Sequence, residues 1–263
     1  MILSKRVALG KENLDELDES IVIRSVDPGQ AKETVGSVSR MGGWGSRMTN
    51  QHWDSRDVSV TFAIDIYKKE MARRREVFDK VVAWANRKGW LTTNQMDGRR
   101  IWVEKTEFTN GGDMWEWLNE YTITFRTFGV PFWQSQEPAE VRKDRTSKGS
   151  VIMDVGGTAP NTLEVRVENI SGAENTNIKI WVGSEDRALE FKGAKLAASE
   201  NLVLEHATDG KLKAYAEKNG TKRNLYSLLR GLDDTYVEPG AVEVGVSSTR
   251  AVNLIVQSYA RWL

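Results

Sequence analysis

The sequence predicts two folded domains in series: an α+β domain with one main helix on an antiparallel sheet, then an all-β domain of sandwich or barrel type. Three observations point there. The stretch KEMARRREVFDKVVAWANRKGW carries the 3.6-residue period of an amphipathic helix and sits between alternating strands. Beyond residue 150, short alternating runs follow one another with turn signals between them and no comparable helix. Eight of the ten tryptophans lie at or before Trp133, so composition changes where the pattern changes.

The elements follow in order. Ser20–Val26 reads as a short strand, closed by the turn signal Asp27-Pro28-Gly29. Pro28 to Asp57 is polar, contains MGGWGSRMTNQHW (Met41–Trp53), and shows no sustained period, so it reads as a long loop, unusual in a compact domain without a function. Val58, Val60, Phe62, Ile64 and Ile66 then alternate with Ser59, Thr61, Ala63, Asp65 and Tyr67, the pattern of a half-buried strand. In the helix, Val77, Val81 and Trp84 recur at i, i+4 and i+7. Phe78, Val82 and Ala85 widen that stripe over roughly 18 residues. Arg87 and Lys88 suit the helix C-terminus, and Gly89 suits its stop. Trp90–Thr93 is a short strand, and Arg99–Thr109 alternates loosely around Ile101, Trp102 and Val103. After the turn Asn110–Asp113, Met114–Phe128 places Trp117, Asn119, Tyr121, Ile123 and Phe125 on one face. The run ends in Gly129-Val130-Pro131-Phe132-Trp133. Two aromatics at a strand end can cap a core, form a partner surface or mark a family.

Glu137 to Gly149 is charged and aperiodic, which predicts a linker between domains at 1–136 and 150–263. The second domain is expected to hold strands near Thr162–Ile170, Asn177–Gly183, Arg187–Lys192, Asn201–His206, Lys211–Ala216, Asn224–Leu229, Ala241–Val246 and Asn253–Ser258. Turns at Ser171-Gly172, Asn219-Gly220 and Pro239-Gly240 help to separate them.

Composition narrows the function classes. The chain has 263 residues, with 37 basic and 37 acidic side chains, and that balance holds locally. No basic half or acidic tail announces nucleic acid or an anionic membrane. Zero cysteines exclude thiolate catalysis, disulfides and Cys-ligated metals. No run has signal-peptide or membrane-span character, which predicts a protein folded in a cytoplasm.

Chemical constellations are sparse. His52 and His206 fall in different predicted domains without ligand-like neighbours, and read as solvated or satisfied histidines. Met41–Ser46 is glycine-rich, yet no Gly-Lys-Ser/Thr follows it. The carboxylates Asp15, Glu16, Asp18, Glu19, Asp154, Asp233 and Asp234 lack the setting of an acid–base pair. Arg73-Arg74-Arg75 reads as a solvated helix face. Trp44 and Trp53 are costly to leave in water. They either pack on their own domain or are buried by a partner.

The order Arg56–Val60 strand, Met71–Arg87 helix, Gly89-Trp90-Leu91, Arg100–Val103 strand, Tyr121–Phe125 strand and Pro131-Phe132-Trp133 resembles the N-terminal domain of the distal tail proteins of siphophages. In that family a helix is followed by a Gly-x-Leu strand, an arginine-led strand, and a strand running into a Pro-aromatic-Trp/Tyr box. The second half is similar to the family's galectin-like C-terminal β-sandwich, with Pro239-Gly240 as its late turn and Leu254–Leu263 as its final strand. Ala241-Val242-Glu243 follow where the family often has Asn, and the His-Asn-Arg and Trp-Glu-Arg sugar contacts of true galectins are missing.

The resemblance implies a structural virion protein, not an enzyme, with no cofactor, metal or catalytic residue. It would form a six-fold ring, the baseplate hub at the distal end of a viral tail, assembled in the bacterial host cytoplasm. Its partners would be other copies of itself, the tail tube protein, the tape measure protein, the tail-tip or tail-associated lysin protein and receptor-binding proteins, without specific nucleic-acid binding or membrane insertion. Trp44, Trp53, Phe132 and Trp133 are the candidate ring or partner contacts. The rival readings are a carbohydrate-binding attachment protein using the C-terminal sandwich, and a hydrolase with such an appendage.

Overall fold

The computed structural model describes residues 5–39, 46–66, 70–110, 120–208, 210–231 and 236–263. By its internal contacts the chain divides into two compact units, one reaching Trp133 and including Leu263, the other Gln134–Trp262. The architecture is mostly β. Among the described residues the one α-helix is Met71–Ala85.

The first unit begins with β1 (Val7–Leu9), β2 (Glu12–Asn13) and β3 (Ile21–Asp27), followed by β4 (Glu33–Ser39), β5 (Ser46–Trp53) and β6 (Asp57–Ile64). The helix α1 comes next, then β7 (Gly89–Thr93), β8 (Arg99–Val103), β9 (Lys105–Asn110) and β10 (Glu120–Arg126). The strand β11 (Trp133–Ser135) spans the division between units. Two antiparallel sheets result. In one, β2, β1, β7 and β8 are successive neighbours. The other runs β3-β6-β10-β9.

Alternation decides what each strand buries. Val58, Val60, Phe62 and Ile64 of β6 and Tyr121, Ile123 and Phe125 of β10 point to the core. Their opposite sides carry short hydroxyls, with Ser59 against Thr124 at 3.3 Å and Thr61 against Thr122 at 3.2 Å. Helix α1 covers the apolar side. Phe78 packs on Tyr121 with ring centroids 4.9 Å apart, and Trp84 meets Phe125 edge-on at 5.9 Å. The Trp84 indole N–H also donates to the carbonyl of Glu12.

Four expectations are corrected in this unit. The stretch from Pro28 to Asp57 is not a loop throughout, because β4 and β5 pair as an antiparallel hairpin. Period-two alternation arises where one face of a strand is buried, and among the described residues this sheet has two strands and no third to build such a face. Arg99–Thr109 is two strands in different sheets, broken at Glu104. There the Glu104 N–H donates to the carbonyl of Arg126, and its carboxylate accepts from the N–H of Gly129. The helix ends at Ala85, shorter than expected. Arg74 is buried, not solvated, because the helical period puts it on the stripe of Val77, Val81 and Trp84; its guanidinium donates to the carbonyl of Ile66 at 3.0 Å. The turn Asn110–Asp113 and Trp117 extend outside the described residues.

The second unit contains β12 (Ala139–Val155), β13 (Asn161–Asn169), β14 (Lys179–Val182), β15 (Leu189–Phe191), β16 (Asn201–His206), β17 (Leu212–Lys218) and β18 (Thr221–Asn224). It continues with β19 (Leu229–Arg230), β20 (Tyr236–Val237), β21 (Gly240–Ser258) and β22 (Arg261–Trp262). The 19-residue β21 is its spine. Its C-terminal half pairs with β13 and its N-terminal half with β14, while β12 runs alongside both halves. The β12–β21 register slips between Lys143 and Lys148, and Arg145 adopts φ 49° there. That irregularity lets one curled sheet carry two leaves: β13-β16-β17-β18, and β14-β15-β19. Their apolar sides enclose Val165, Val167, Leu202, Leu204, Val244, Val246 and Leu254.

Three expectations change here. Residues 139–149, expected as linker, form the first part of β12; their charged side chains obscure a strand held by backbone pairing to β21. Ala241–Val246 and Asn253–Ser258 are one strand. Asn224–Leu229 is mainly the 3-10 turn Tyr226–Leu228 between β18 and β19.

Candidate assembly interface

Three of the four sequence-predicted contact residues, Trp53, Phe132 and Trp133, lie at the root of the β4–β5 hairpin. The turn before it starts at Pro28-Gly29. Gly29 has φ +63°, its N–H donates to the Asp27 carboxylate, and a Cβ at this position would lie 1.9 Å from the carbonyl oxygen of Asp57. Only glycine fits both the conformation and the space. Across the turn, the Trp133 indole N–H donates to the carbonyl of Pro28 at 3.3 Å. Trp53, the last residue of β5, meets Phe132 edge-to-face at 5.4 Å. Just beyond it, Asp54 closes the hairpin base: its carboxylate accepts from the Thr34 hydroxyl at 2.6 Å, and its N–H donates to the carbonyl of Lys32.

These distances correct part of the expectation. Trp133 is 0 % exposed and Phe132 7 %, so both are core of the first unit and present no surface for a partner. Their place at a strand end caps a core. Trp53 is half-buried beside them. Trp44 lies outside the described residues.

Arg56, which the sequence marks only as the start of a strand, is the unexpected member. Its side chain is fully buried, and among the described residues its guanidinium nitrogens have no hydrogen-bond partner. Its backbone is well held: the Arg56 N–H donates to the Thr127 hydroxyl at 2.9 Å, and the Thr127 N–H donates to the Arg56 carbonyl. Burial lowers the guanidinium pKa to about 10. Next to it, Asp57 takes both hydrogen bonds of a forked pair with Arg126, at 2.6 and 2.7 Å, which holds the Asp57 carboxyl below its usual range.

Elsewhere, half-buried Trp90 and Trp102 pack edge-to-face at 5.3 Å on the side of β7–β8 opposite Leu91 and Ile101, and Arg100 stacks 4.3 Å from the Trp90 ring centre. Phe128 is 59 % exposed in the loop before the Pro-Phe-Trp box. Neither was singled out by the sequence pattern, because an outward aromatic in an alternating strand reads the same as an inward one. His52 is exposed and sits 3.2 Å from the Asp54 carboxylate. His206 is packed against Tyr236 and near Arg261. Among the described residues no group of three His, Asp or Glu side chains could hold a metal ion.

The class this geometry defines is a β-rich protein of two compact units whose first unit carries a separate two-stranded hairpin. No protein-family model and no curated protein matches the sequence. In fold, the chain is similar along its whole length to the crystal structure of the SPP1 Dit (gp 19.1) protein, described as a paradigm of the hub adsorption apparatus in phages infecting Gram-positive bacteria. The TM-score is 0.66 at 14 % identity, over 98 % of this chain and 99 % of that one. A chain of the phage P2 baseplate in its activated, Ca-bound conformation matches at TM-score 0.48 and 11 % identity, over 99 % of this chain and 98 % of that one, a likeness too low to carry an argument.

Proposed function

We propose that this chain is a structural hub of a phage tail, a ring-forming component that sits in the virion and joins the tail tube to the host-adsorption device. The observation that carries the reading is the full-length likeness to the SPP1 Dit hub protein, which spans both units. It agrees with the sequence resemblance drawn from different evidence, the Pro131-Phe132-Trp133 box and the strand–helix–strand order before it. The second unit corresponds to the galectin-like sandwich and the first to the ring-forming domain. The ring is six-fold, and its lower and upper faces meet tube and tail-tip proteins.

The β4–β5 hairpin supports an assembly role. An isolated two-stranded hairpin is marginal in water, and three strands or a packing partner are normally needed. This one is tied down at its base by Asp54 and Trp53 and adds no strand to either main sheet. A neighbouring copy packing on it would hold it in place, as expected of a heterologous interface that closes into a ring. Light scattering and electron microscopy test the reading. Closed rings, alone at high concentration or beside the tube protein, are expected. A chain that stays monomeric under all these conditions refutes it.

A further inference from the structure

The sheet of the second unit has a long edge whose two halves are defended differently. Among the described residues β12 pairs with β21 alone, so its other side has no strand beside it. Such an edge invites pairing with another chain unless charge, a bulge or proline blunts it. The first half is blunted. Glu140, Arg142, Lys143, Asp144 and Arg145 crowd it, and the register slips there, where Arg145 adopts φ 49°. At the far end of the same sheet β18 is short and carries Lys222 and Arg223. The second half of β12, Gly149–Val155, has no charge between Lys148 and Asp154, no proline and no register slip.

The bonding of β21 to its other neighbour shows which backbone groups face outward. The Gly183 N–H donates to the Glu243 carbonyl at 2.7 Å, so the Glu243 peptide groups face β14 and not β12. In an antiparallel ladder directly opposed residues either exchange both hydrogen bonds or neither. Ile152 stands opposite Glu243 and therefore turns its N–H and carbonyl to the open edge; Ser150 and Asp154, two positions away, do the same. Alternation sends Met153 and Val155 into the core and leaves the Ile152 side chain on the other face, 71 % exposed. A β-branched apolar side chain is thus uncovered at the same position as its backbone donor and acceptor.

We infer that this half-edge pairs with the same half-edge of a second copy of the chain, antiparallel and centred on Ile152. Register and charge select that occupant. Centring on Ile152 sets it against its own counterpart, Ser150 against Asp154 and Asp154 against Ser150, so the three outward-turned peptide groups exchange hydrogen bonds. The two Asp154 side chains stand apart, and each has Lys148 of the other copy on its diagonal, within reach of a long side chain. Lys148 also meets Glu185 of its own chain at 2.6 Å. Apolar meets apolar and acid meets base, with one segment as its own complement and no like charges directly opposed. A two-fold contact between identical patches closes on itself. It differs from the head-to-tail contact of a ring and lies within the second unit, so it stands whether or not rings form.

The chain has no cysteine, so single substitutions in the full-length protein give clean cross-linking probes. In the paired register the two Ile152 Cα atoms lie about 5.5 Å apart, inside disulfide range, while the two Ser150 Cα atoms are four positions out of register, about 14 Å apart and outside it. Under mild oxidation Ile152→Cys should form a covalent dimer about tenfold or more faster than Ser150→Cys. Sedimentation velocity over a concentration series should show self-association that Ile152→Lys removes, with thermal unfolding unchanged because the side chain is exposed. If Ile152→Lys melts early, Ile152→Pro replaces it, since the N–H it removes points to the open edge, and the same loss is expected. Equal cross-linking rates at the two positions, association untouched by these substitutions, or cross-linking of Ile152→Cys only to a different tail protein overturns the proposal.

Discussion

Replacing Arg56 by methionine should stabilise the protein. A fully buried guanidinium without a hydrogen-bond partner is a penalty that the rest of the first unit must offset. Burial lowers its pKa to about 10, so the charged form carries a cost of a few kcal/mol at most. Methionine fills a similar volume without that cost, and such replacements of buried charge by apolar side chains gain about 1 to 4 kcal/mol. At roughly 3 to 4 °C per kcal/mol for a unit of this size, the gain corresponds to a rise in Tm of roughly 3 to 16 °C. Tryptophan fluorescence during thermal unfolding reads it, since eight of the ten tryptophans lie in the first unit. The pH dependence is diagnostic. Below pH 10 the arginine is charged in both states and the penalty is complete. As pH rises through about 10, the folded form releases its proton before the unfolded form does, and the penalty shrinks. The advantage of Arg56→Met should therefore be constant at neutral pH and narrow above pH 10. A variant that melts lower than the parent at pH 7, or an advantage that does not narrow, would refute the reasoning.

Further outcomes follow from other parts of the fold. Trp133→Ala should cost about 3 to 5 kcal/mol, as large core truncations do, and lower the melting of the first unit in isolated chains; unchanged melting would mean Trp133 is not the core residue its burial indicates. The His206 imidazole is held at about 4, by burial first and Arg261 second, so its share of stability is complete above about pH 6.5 and is lost as pH falls toward 4. His206→Phe should flatten that loss, and acid unfolding curves that superimpose for parent and variant would contradict it. Trypsin under native conditions should spare Arg142 and Lys148, which are paired in β12; early cleavage there into two resistant fragments would restore a flexible linker.

The sequence by itself determined the elements whose pattern comes from burial of one face. Alternation over Val58–Ile64 and Tyr121–Phe125 and the stripe Val77–Val81–Trp84 each follow from one apolar side turned to a core, and all three stand as read. The Pro131-Phe132-Trp133 box was also legible, though not its direction, because an aromatic at a strand end has the same letters whether it faces inward or outward. Tertiary structure decided the rest for a common reason: pairing between distant backbones leaves no local mark. The β4–β5 hairpin pairs neighbouring segments without the alternation that would announce it, while the strand in the charged segment 139–149 and the continuity of Gly240–Ser258 rest on long-range hydrogen bonds. The same holds for Arg56, which lies against the turn at Gly29 and is held by Thr127.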